Sequence, residues 1–470
     1  MLTKNGNKSF TEGSLFFKIT LFALPIALTS MLQVLYSVGD NVIIGRFSGD
    51  LLGLPAIAST NSIISLIINL LVGVSAGTSV VVAQAYGMQD KERVSRATHT
   101  SLTFAAVFGI VMCVIGLFIS KPALIAIGTK PELLSRAELY MQIICIGMPA
   151  SAVMNFGAAV LRSAGDSKTP MIVFALSGLA NLLLNMLFVI VFSMSVQGVA
   201  IATVLSQYGA AVAVLLILAI RRGESYAFRL DKLGIDPTSL WQVLRCGVPA
   251  AIQTVMYSVG NIFIATSINQ FATTNITASV IAGNIDGITY LIANSYLQSA
   301  MTIAAQNYGA RKYKRTRKVF LYSFLQTTVV GIAVGQLLLL FIDPIISCYV
   351  GVDDPNRLII FDQTRELLML TLNFYFLCGI QEAISGALRG LGHTIAPAVI
   401  SVVGICGMRI LWVLTFFNLD LFHSMIGLYI VYPLSWGLTS IMLAVLTLFI
   451  LRKLPREDFA EPAVAVAAGL

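Results

Sequence analysis

Four ionisable side chains lie deep inside long apolar segments, where a charge is costly and by default marks a functional site. Three of them are acids, Asp40, Asp286 and Glu382, out of 22 acidic residues in the chain. The fourth is a base, Arg409, out of 30 lysines and arginines. These four residues are the first candidates for binding or moving a charged species.

Asp40 is the most informative of the four, because it follows Tyr36 by one helical turn and so shares a helix face with it. On this interpretation Asp40 binds a cation or exchanges a proton, and Tyr36 lines the same cavity. The alternative is that Asp40 lies near the outer end of its apolar segment and simply reaches water.

Neutral polar side chains accompany this acid in the first half of the sequence. Asn181 and Asn185 are four residues apart on one helix face, while Asn155 and Thr203 lie in neighbouring apolar segments. Each one alone could join two helices by a hydrogen bond. Collected around one carboxylate, they suit a hydrated cation or a carboxyl group that gains and loses a proton. We predict a cation-coupling site of Asp40, Asn181, Asn185 and Thr203, with Asp40, Asn181 and Thr203 as ligands if the ion is Na⁺.

The second half of the sequence has a different set of charges. Asp286 and Glu382 could line a solute cavity, or either could form a charge-neutral structural pair with Arg409. Both alternatives stay open at this point. The predicted substrate cavity comprises Tyr36, Asn155, Tyr257, Asn261, Asp286, Glu382 and Arg409.

The composition indicates an integral membrane protein. Of 470 residues, 57% are hydrophobic and 11% are charged, whereas soluble proteins carry about 25% charged residues. A span needs about 20 mostly apolar residues. We predict an all-α membrane fold of twelve transmembrane helices, at 15–44, 52–83, 97–120, 133–161, 169–193, 198–220, 239–268, 276–306, 317–342, 364–388, 394–418 and 425–451.

The net charge of +8 is concentrated in short connecting segments, which indicates membrane orientation and not binding of nucleic acid. With a cytoplasmic N-terminus, 23 of the 30 lysines and arginines lie on the cytoplasmic side, six lie opposite, and Arg409 is inside a span. This asymmetry predicts a multi-pass protein of the plasma (inner) membrane with both termini cytoplasmic. The basic run 311–318 is expected to touch anionic lipid.

The second half of the chain repeats the first at three collinear points. The matched segments are 36–40 with 257–261, 83–87 with 305–309, and 161–165 with 388–392, at offsets of 221, 222 and 227. Six spans per repeat is an even number, so both halves enter the membrane from the same side as a parallel, pseudo-symmetric pair. We predict a six-helix bundle at 1–220, a cytoplasmic linker at 221–238, and a second six-helix bundle with a short cytoplasmic tail at 239–470.

Two further patterns concern how the helices pack. Pro25 and Pro249 open corresponding spans of the two repeats. The Gly73/Gly77 and Gly283/Gly287 spacings allow close helix contacts.

No pattern indicates an enzyme or a cofactor. The six cysteines have no CxxC spacing and the three histidines are far apart, which argues against a metal cluster. A Walker-type GxxxxGKS/T motif for ATP is absent from the sequence. The expected partners are a small drug-like solute and membrane lipids, with no nucleic acid, and the expected state is a monomer.

Five segments together resemble the multidrug and toxic compound extrusion (MATE) family, most closely its bacterial DinF-like branch. They are 25–46, 73–77, 83–87, 161–166 and 198–203, and the resemblance covers nearly the whole chain, including its doubled layout. It implies two six-helix bundles in a V shape, driven by inward flow of protons or sodium ions. It also implies a coupling site in the first bundle, where the matching residues are Tyr36, Asp40, Asn155, Asn181 and Thr203.

The chain departs from this family at a few positions. Many members have a second aspartate where this chain has Asn185, so one carboxylate remains instead of two. Another branch has acids at positions that match Tyr257 and Cys378 here, although Glu382 lies one turn from Cys378. The choice between proton and sodium therefore stays open.

Together with this resemblance, the residues predict a secondary active multidrug efflux antiporter. It would export small cationic or amphipathic organic compounds in exchange for protons or sodium ions. The alternative is a lipid-linked oligosaccharide flippase of the same superfamily, which tends to line its cavity with several basic residues where this chain has only Arg409. A membrane-embedded enzyme is a third interpretation, but no recognisable catalytic spacing supports it.

Overall fold

Helices form nearly all of the regular structure. The computed structural model describes residues 10–351 and 354–458, and no β-strand occurs within them. The predicted N-terminal and tail segments 1–9 and 459–470 lie outside the described residues. The helices of the first half are α1 (Leu15–Phe47), α2 (Gly53–Gly87), α3 (Lys91–Ala126), α4 (Pro131–Ile146), α5 (Met148–Ser163), α6 (Lys168–Asn185) and α7 (Val196–Ile220).

The second half has a corresponding series. Its helices are α8 (Pro237–Ile268), α9 (Thr273–Gly309), α10 (Tyr313–Leu340), α11 (Ile342–Ser347), α12 (Arg357–Asn373), α13 (Tyr375–Gly390), α14 (Ile395–Ser401), α15 (Met408–Leu414), α16 (Met425–Tyr429) and α17 (Val431–Lys453). Both halves contain a π-helical segment in the span that follows a bent helix pair, at Met186–Val191 and Val402–Gly407.

The number of spans agrees with the prediction. Among the described residues, ten helices are long and apolar enough to cross a membrane, and two bent helix pairs raise the number to twelve. The pairs are α4–α5, bent by 45°, and α12–α13, bent by 41°, at the predicted spans 133–161 and 364–388. Pro149 in the first turn of α5 has no N–H to continue the α4 hydrogen-bond ladder, which accounts for the first bend. The prediction of an all-α membrane fold is confirmed.

Packing divides the described residues into two units. The first unit contains Leu28–Ala251, and the second contains Phe10–Ala27 together with the residues from Ile252 onward. The helices α1 and α8 therefore each begin in one unit and end in the other. Both crossings fall two residues after a proline, Pro25 in α1 and Pro249 in α8, as expected of two copies of one element. The division predicted at 1–220, 221–238 and 239–470 follows the sequence repeat instead of the packing, and it stays a prediction.

Each unit has its own apolar core. In the first unit, Leu71, Met141 and Phe156 are fully buried in one cluster of α2, α4 and α5 side chains. In the second unit, Ile19 at the start of α1 is fully buried against α9 and α13. Its carbonyl oxygen accepts a hydrogen bond from Ser299 Oγ at 2.9 Å. The beginning of α1 is thus an integral part of the second unit.

The two glycine pairs behave differently. A methyl group on Gly77 would lie 2.0 Å from the Val243 carbonyl oxygen of α8, and one on Gly73 would lie 2.5 Å from Ala251 Cα. These glycines let α2 and the first part of α8 touch backbone to backbone, as predicted. Gly283 and Gly287 face open space, so the same prediction is wrong for the second pair.

The connecting segment 221–238 is anchored to the first unit. The backbone N–H of Arg229 donates to His99 Nε2 at 3.0 Å, and that of Asp236 donates to Thr100 Oγ1 at 3.0 Å, both on α3. At the end of α7, the Arg221 guanidinium donates to Asp166 at 2.7 Å. The backbone N–H of Phe228 also donates to the Leu218 carbonyl oxygen of α7 at 3.2 Å, so the predicted linker is bonded to both α3 and α7.

Candidate functional site

Asp40 lies half-buried in α1 and faces the C-terminal end of α6. Its Oδ1 accepts a hydrogen bond of 2.5 Å from Asn185 Nδ2, and the Asn185 side chain is fully buried. Hydrogen bonds to a charged acceptor are stronger than those between neutral groups. The contact therefore holds an ionised Asp40 against α6.

Asn181, one turn before Asn185, completes the connection to α7. With its amide nitrogen turned toward Asp40, Asn181 donates to Oδ1 at 2.8 Å. Its oxygen then accepts from the Thr203 backbone N–H at 3.3 Å or the Thr203 hydroxyl at 3.2 Å. The opposite amide orientation would face the oxygen toward the carboxylate, which is unfavourable. The structure thus brings together all four residues of the predicted cation-coupling site, from α1, α6 and α7.

Two oxygens of this cluster have no hydrogen-bond partner among the described residues. They are Asn185 Oδ1, which is also closed off from solvent, and the Oδ2 of Asp40. A buried polar atom without a partner is costly, and in a functional site it indicates a missing ion, proton or water. The cluster can therefore accept one further positively charged or donating group.

Tyr36 positions α1 and does not bind Asp40. Its hydroxyl donates to the Ala175 carbonyl oxygen of α6 at 3.0 Å. The Tyr36 ring packs directly on Gly178, where an added methyl group would lie 1.8 Å from a ring atom. The Leu182 side chain packs on Gly39 in the same way. Sequence reasoning missed Gly178, although a glycine three residues before Asn181 in an apolar helix is a signal of close packing.

Asn155 takes no part in this cluster. Its Nδ2 donates to the Ser151 carbonyl oxygen at 2.8 Å, one turn earlier in α5. That bond lies within one helix and leaves Asn155 half-buried. The contribution of Asn155 to a cavity stays a prediction.

In the second unit, Asp286 is held by two residues of the bent α12–α13 pair. Thr371 Oγ1 donates to Asp286 Oδ1 at 3.0 Å, and the Tyr375 hydroxyl donates to the Asp286 carbonyl oxygen at 3.1 Å. Asp286 therefore fastens α9 to the bend between α12 and α13.

Glu382 is buried in α13, and its positive neighbour is Arg389. Arg389 is itself buried and donates to Gln253 Oε1 at 2.5 Å, while Gln253 Nε2 donates to the Tyr257 hydroxyl at 2.6 Å. Sequence reasoning placed Arg389 in a cytoplasmic loop and missed Gln253. Two patterns in the sequence could have indicated these residues: Arg389 lies in the repeat motif 388–392, and Gln253 lies four residues before Tyr257 on the same helix face.

Arg409 pairs with neither acid. Its Nη1 donates to Asn261 Oδ1 at 2.5 Å, and its guanidinium lies 4.5 Å from the centre of the Tyr432 ring. Within residues 10–351 and 354–458, no ion pair joins Arg409 to Asp286 or Glu382. Of the two alternatives from sequence, the charge-neutral pair is therefore not formed.

A further charged cluster ties the helix ends of the first unit together outside the spans. Asp50, between α1 and α2, accepts hydrogen bonds from Arg136 Nε at 2.8 Å and Ser195 Oγ at 2.7 Å. Burial raises the pKa of this carboxyl, but the bonds from Ser195, Arg136 and the Leu52 N–H outweigh it and hold the pKa below its usual value. We call the contacts of Asp50 with Arg136 and Ser195 the Asp50 latch, which was not predicted from the sequence.

The latch predicts a stability effect. Replacing Asp50 with Asn leaves Arg136 without its carboxylate, and we expect a loss of about 1–3 kcal/mol, measured as a lower Tm of the purified protein. Because the folded pKa is lowered, the Asp50 contribution is present above the usual carboxyl pKa of about 3.9 and is lost only at more acidic pH. The control is Glu132→Gln, at an exposed acid in the first turn of α4. Equal Tm values for the two variants would contradict the latch.

No metal cluster accompanies these sites. The described part of the chain has no group of three or more His, Cys, Asp or Glu side chains placed to hold a metal ion. Inside the spans, Asp40, Asp286 and Arg409 are instead bonded to amides, a hydroxyl and an aromatic ring.

The doubled layout appears again when the chain is compared with known proteins. The model of the MatE family matches residues 25–187 and 249–415, one match in each half. The chain belongs to the MatE family. Members of this family are membrane transporters and not enzymes, so the predicted resemblance to the MATE family and the prediction of a non-enzymatic multi-pass transporter are confirmed, while the DinF-like branch stays a prediction.

The similarity to other proteins extends over most of the chain. The probable multidrug resistance protein YoeA of Bacillus subtilis (strain 168) is 27% identical over 92% of this chain and 93% of its own. The probable multidrug resistance protein NorM of Thermotoga maritima is 25% identical over 86% of this chain and 87% of its own. A crystal structure of MATE in complex with MaL6 has a TM-score of 0.88 at 19% identity, covering 96% of this chain and 99% of that one. This last likeness concerns the fold alone, and it confirms the predicted fold class.

Proposed function

We propose that the protein is a secondary active antiporter for multidrug efflux, which exports small cationic or amphipathic organic compounds. In this proposal, Asp40 couples export to the entry of a proton. The names of its relatives, probable multidrug resistance proteins, support the class of activity. The observation that carries the proposal is the single carboxylate of Asp40, held between α6 and α7 by the Asn181 and Asn185 amides.

The arrangement of the amides favours a proton over sodium. Both asparagines turn N–H groups toward Asp40, so they act as donors to a carboxylate and not as ligands to a cation. The oxygens left free are Asn185 Oδ1 and Asp40 Oδ2, and hard cations take more oxygen ligands than two. A proton needs only one of them: a protonated Oδ2 can donate a hydrogen bond.

Proton uptake changes the packing of three helices in this mechanism. Protonation neutralises Asp40, which weakens the charge-assisted bonds that join α1 to α6 and α7. The first unit then prefers a different arrangement of these helices, and release of the proton to the cytoplasm restores the original one. Each pH unit supplies about 1.4 kcal/mol per proton, which sustains about a tenfold gradient of the exported compound. The membrane potential, worth about 2.3 kcal/mol per charge at 100 mV, adds to this for a compound without net charge and cancels in a one-for-one exchange with a monovalent cation.

The remaining parts of the proposal follow from sequence. The concentration of lysine and arginine in the predicted inner loops supports a plasma (inner) membrane protein with both termini cytoplasmic. The flippase alternative requires several basic groups in one cavity, and its closest candidates here, Arg389 and Arg409, are bound to different residues. The coupling ion and the exported compound are the parts that an experiment must decide.

The test uses purified full-length protein in liposomes loaded with the cationic dye rhodamine 6G. A pH gradient and a sodium gradient are imposed separately, and dye release is followed by fluorescence. We expect a pH gradient alone to drive transport and a sodium gradient alone to leave it at the level of empty liposomes. Transport driven by sodium in the absence of a pH gradient would contradict proton coupling, and no dye movement under either gradient would contradict the antiporter.

A further inference from the structure

The guanidinium of Arg409 is buried with almost none of its hydrogen-bonding capacity used. The side chain is 5% exposed. Among the residues that the structure describes, only its Nη1 has a hydrogen-bond partner, the neutral oxygen of Asn261. Nε is closed off from solvent without a partner, and Nη2 has none among the residues that the structure describes. A buried charge in this state costs several kcal/mol unless an anion completes it.

Arg389, the other buried arginine of the second unit, is in a different situation. It has a carboxylate of its own nearby, Glu382, on the same helix α13. Two acids of the second unit lie inside its spans, Asp286 on α9 and Glu382 on α13. Neither acid is within 4.0 Å of the Arg409 guanidinium in the described part of the chain. Arg409 therefore has no carboxylate in contact among the described residues, and its one acceptor there is the neutral oxygen of Asn261.

The contact between Arg409 and Asn261 has a counterpart in the other half of the internal repeat. In the first unit, the first span supplies the carboxylate Asp40 and the fifth span supplies the amide Asn185. In the second unit, Asn261 occupies the position that matches Asp40, and the eleventh span supplies the guanidinium of Arg409. Both pairs are joined at 2.5 Å. The same inter-span contact thus carries a negative charge in one copy and a positive charge in the other.

We propose that Arg409, Asn261 and Tyr432 form a recognition site in the second unit for the anionic group, a carboxylate or phosphate, of an organic compound. Nε and Nη2 lie on one edge of the guanidinium, which matches the two oxygens of such a group. Asn261 is exposed, and its Nδ2 is a third donor beside them. The Tyr432 ring covers the flat face of the guanidinium and keeps this edge in place.

This inference rests on the proposed export of organic compounds and narrows their class. The first unit, with Asp40, handles positive charge, and the second unit adds selectivity for compounds that carry an anionic group. An amphoteric aromatic compound, with a delocalised cation and a carboxylate, fits both requirements. A compound that has only the cation lacks the group that Arg409 binds.

The test compares rhodamine 19 with rhodamine 6G, its ethyl ester. The two dyes share one cationic ring system, and only the acid carries a free carboxylate. Binding of each dye to the purified full-length protein is measured by fluorescence anisotropy at neutral pH. We expect wild-type protein to bind rhodamine 19 about tenfold more tightly than the ester, the change that about 1.4 kcal/mol produces. Arg409→Gln should remove this preference, so that the two dyes bind with affinities within about twofold of each other.

Two more variants separate recognition from structure. Arg409→Lys keeps the charge but loses the two-donor edge, so its preference should be intermediate. Arg409→Gln should keep or raise Tm, because it removes an unpaired buried charge, whereas Arg389→Gln should lower Tm. Equal loss of both dyes in Arg409→Gln, or no preference for rhodamine 19 in the wild type, would overturn the inference. Dye binding is measured without a gradient. Failure of dye transport alone would therefore contradict the antiporter, while the binding data would still test the anion site.

Discussion

The Asp40→Asn variant is expected to fold, to reach the membrane and to lose all gradient-driven efflux. Asparagine has nearly the shape of aspartate, and its side-chain oxygen can still accept the hydrogen bonds from Asn181 and Asn185, but it cannot exchange a proton. The energy of the pH gradient, about 1.4 kcal/mol for each pH unit, is then no longer coupled to the dye. Rhodamine 6G transport in proteoliposomes under a pH gradient should fall to the level of empty liposomes.

The matched control for this variant is Ser59→Ala. Ser59 also lies in an apolar span of the first unit, but it is bonded only to Ala56 in its own helix. We expect this control to keep at least about half of the wild-type rate, because a local bond of this kind contributes about 1 kcal/mol or less. Normal efflux by Asp40→Asn would contradict the coupling role, as would an equal loss in both variants.

The Gly77→Ala variant is expected to show the largest loss of stability. The added methyl group would lie 2.0 Å from the Val243 carbonyl oxygen, which belongs to helix backbone and cannot rotate away. The helices α2 and α8 must therefore move apart, at a cost of about 3 kcal/mol or more. The measurement is the Tm of the purified protein, together with the yield of monodisperse material in detergent.

Gly283→Ala is the control, because it makes the same change in α9 at a glycine that faces open space. Alanine favours a helix over glycine by about 1 kcal/mol, so this variant should be as stable as the wild type or slightly more stable. The close contact between α2 and α8 would be disproved if both variants had the same Tm.

Both experiments bear on one feature of the fold, the passage of α1 and α8 from one unit to the other. Asp40 lies in the part of α1 that belongs to the first unit, whereas Ile19 of the same helix is packed in the second. The contact of Gly77 fastens the beginning of α8 to the first unit before that helix continues into the second. A change in the packing of α1 near Asp40 therefore acts on a helix that both units share.

The sequence by itself determined the class of the protein and most of its candidate coupling site. Long apolar segments, charge in the loops and the internal repeat predicted the twelve spans, since a bilayer imposes the length and polarity of each helix directly. The four-residue spacing of Asn181 and Asn185 put them on one face, since this follows from helix periodicity alone. Asp40 and Thr203 were grouped with them as polar residues of neighbouring apolar spans, the family resemblance pointed to the same residues, and the structure brings all four together.

Only the tertiary structure decided which partners lie across the helix contacts. Arg409 meets Asn261 and Tyr432 instead of an acid, Arg389 is buried with Gln253 instead of lying in a loop, and Asn155 bonds within its own helix. The same holds for the glycine pairs, of which only Gly73/Gly77 faces another helix. Helix periodicity specifies which residues share a face. The rotation and crossing of neighbouring helices specify what that face meets, and these depend on packing between residues far apart in sequence.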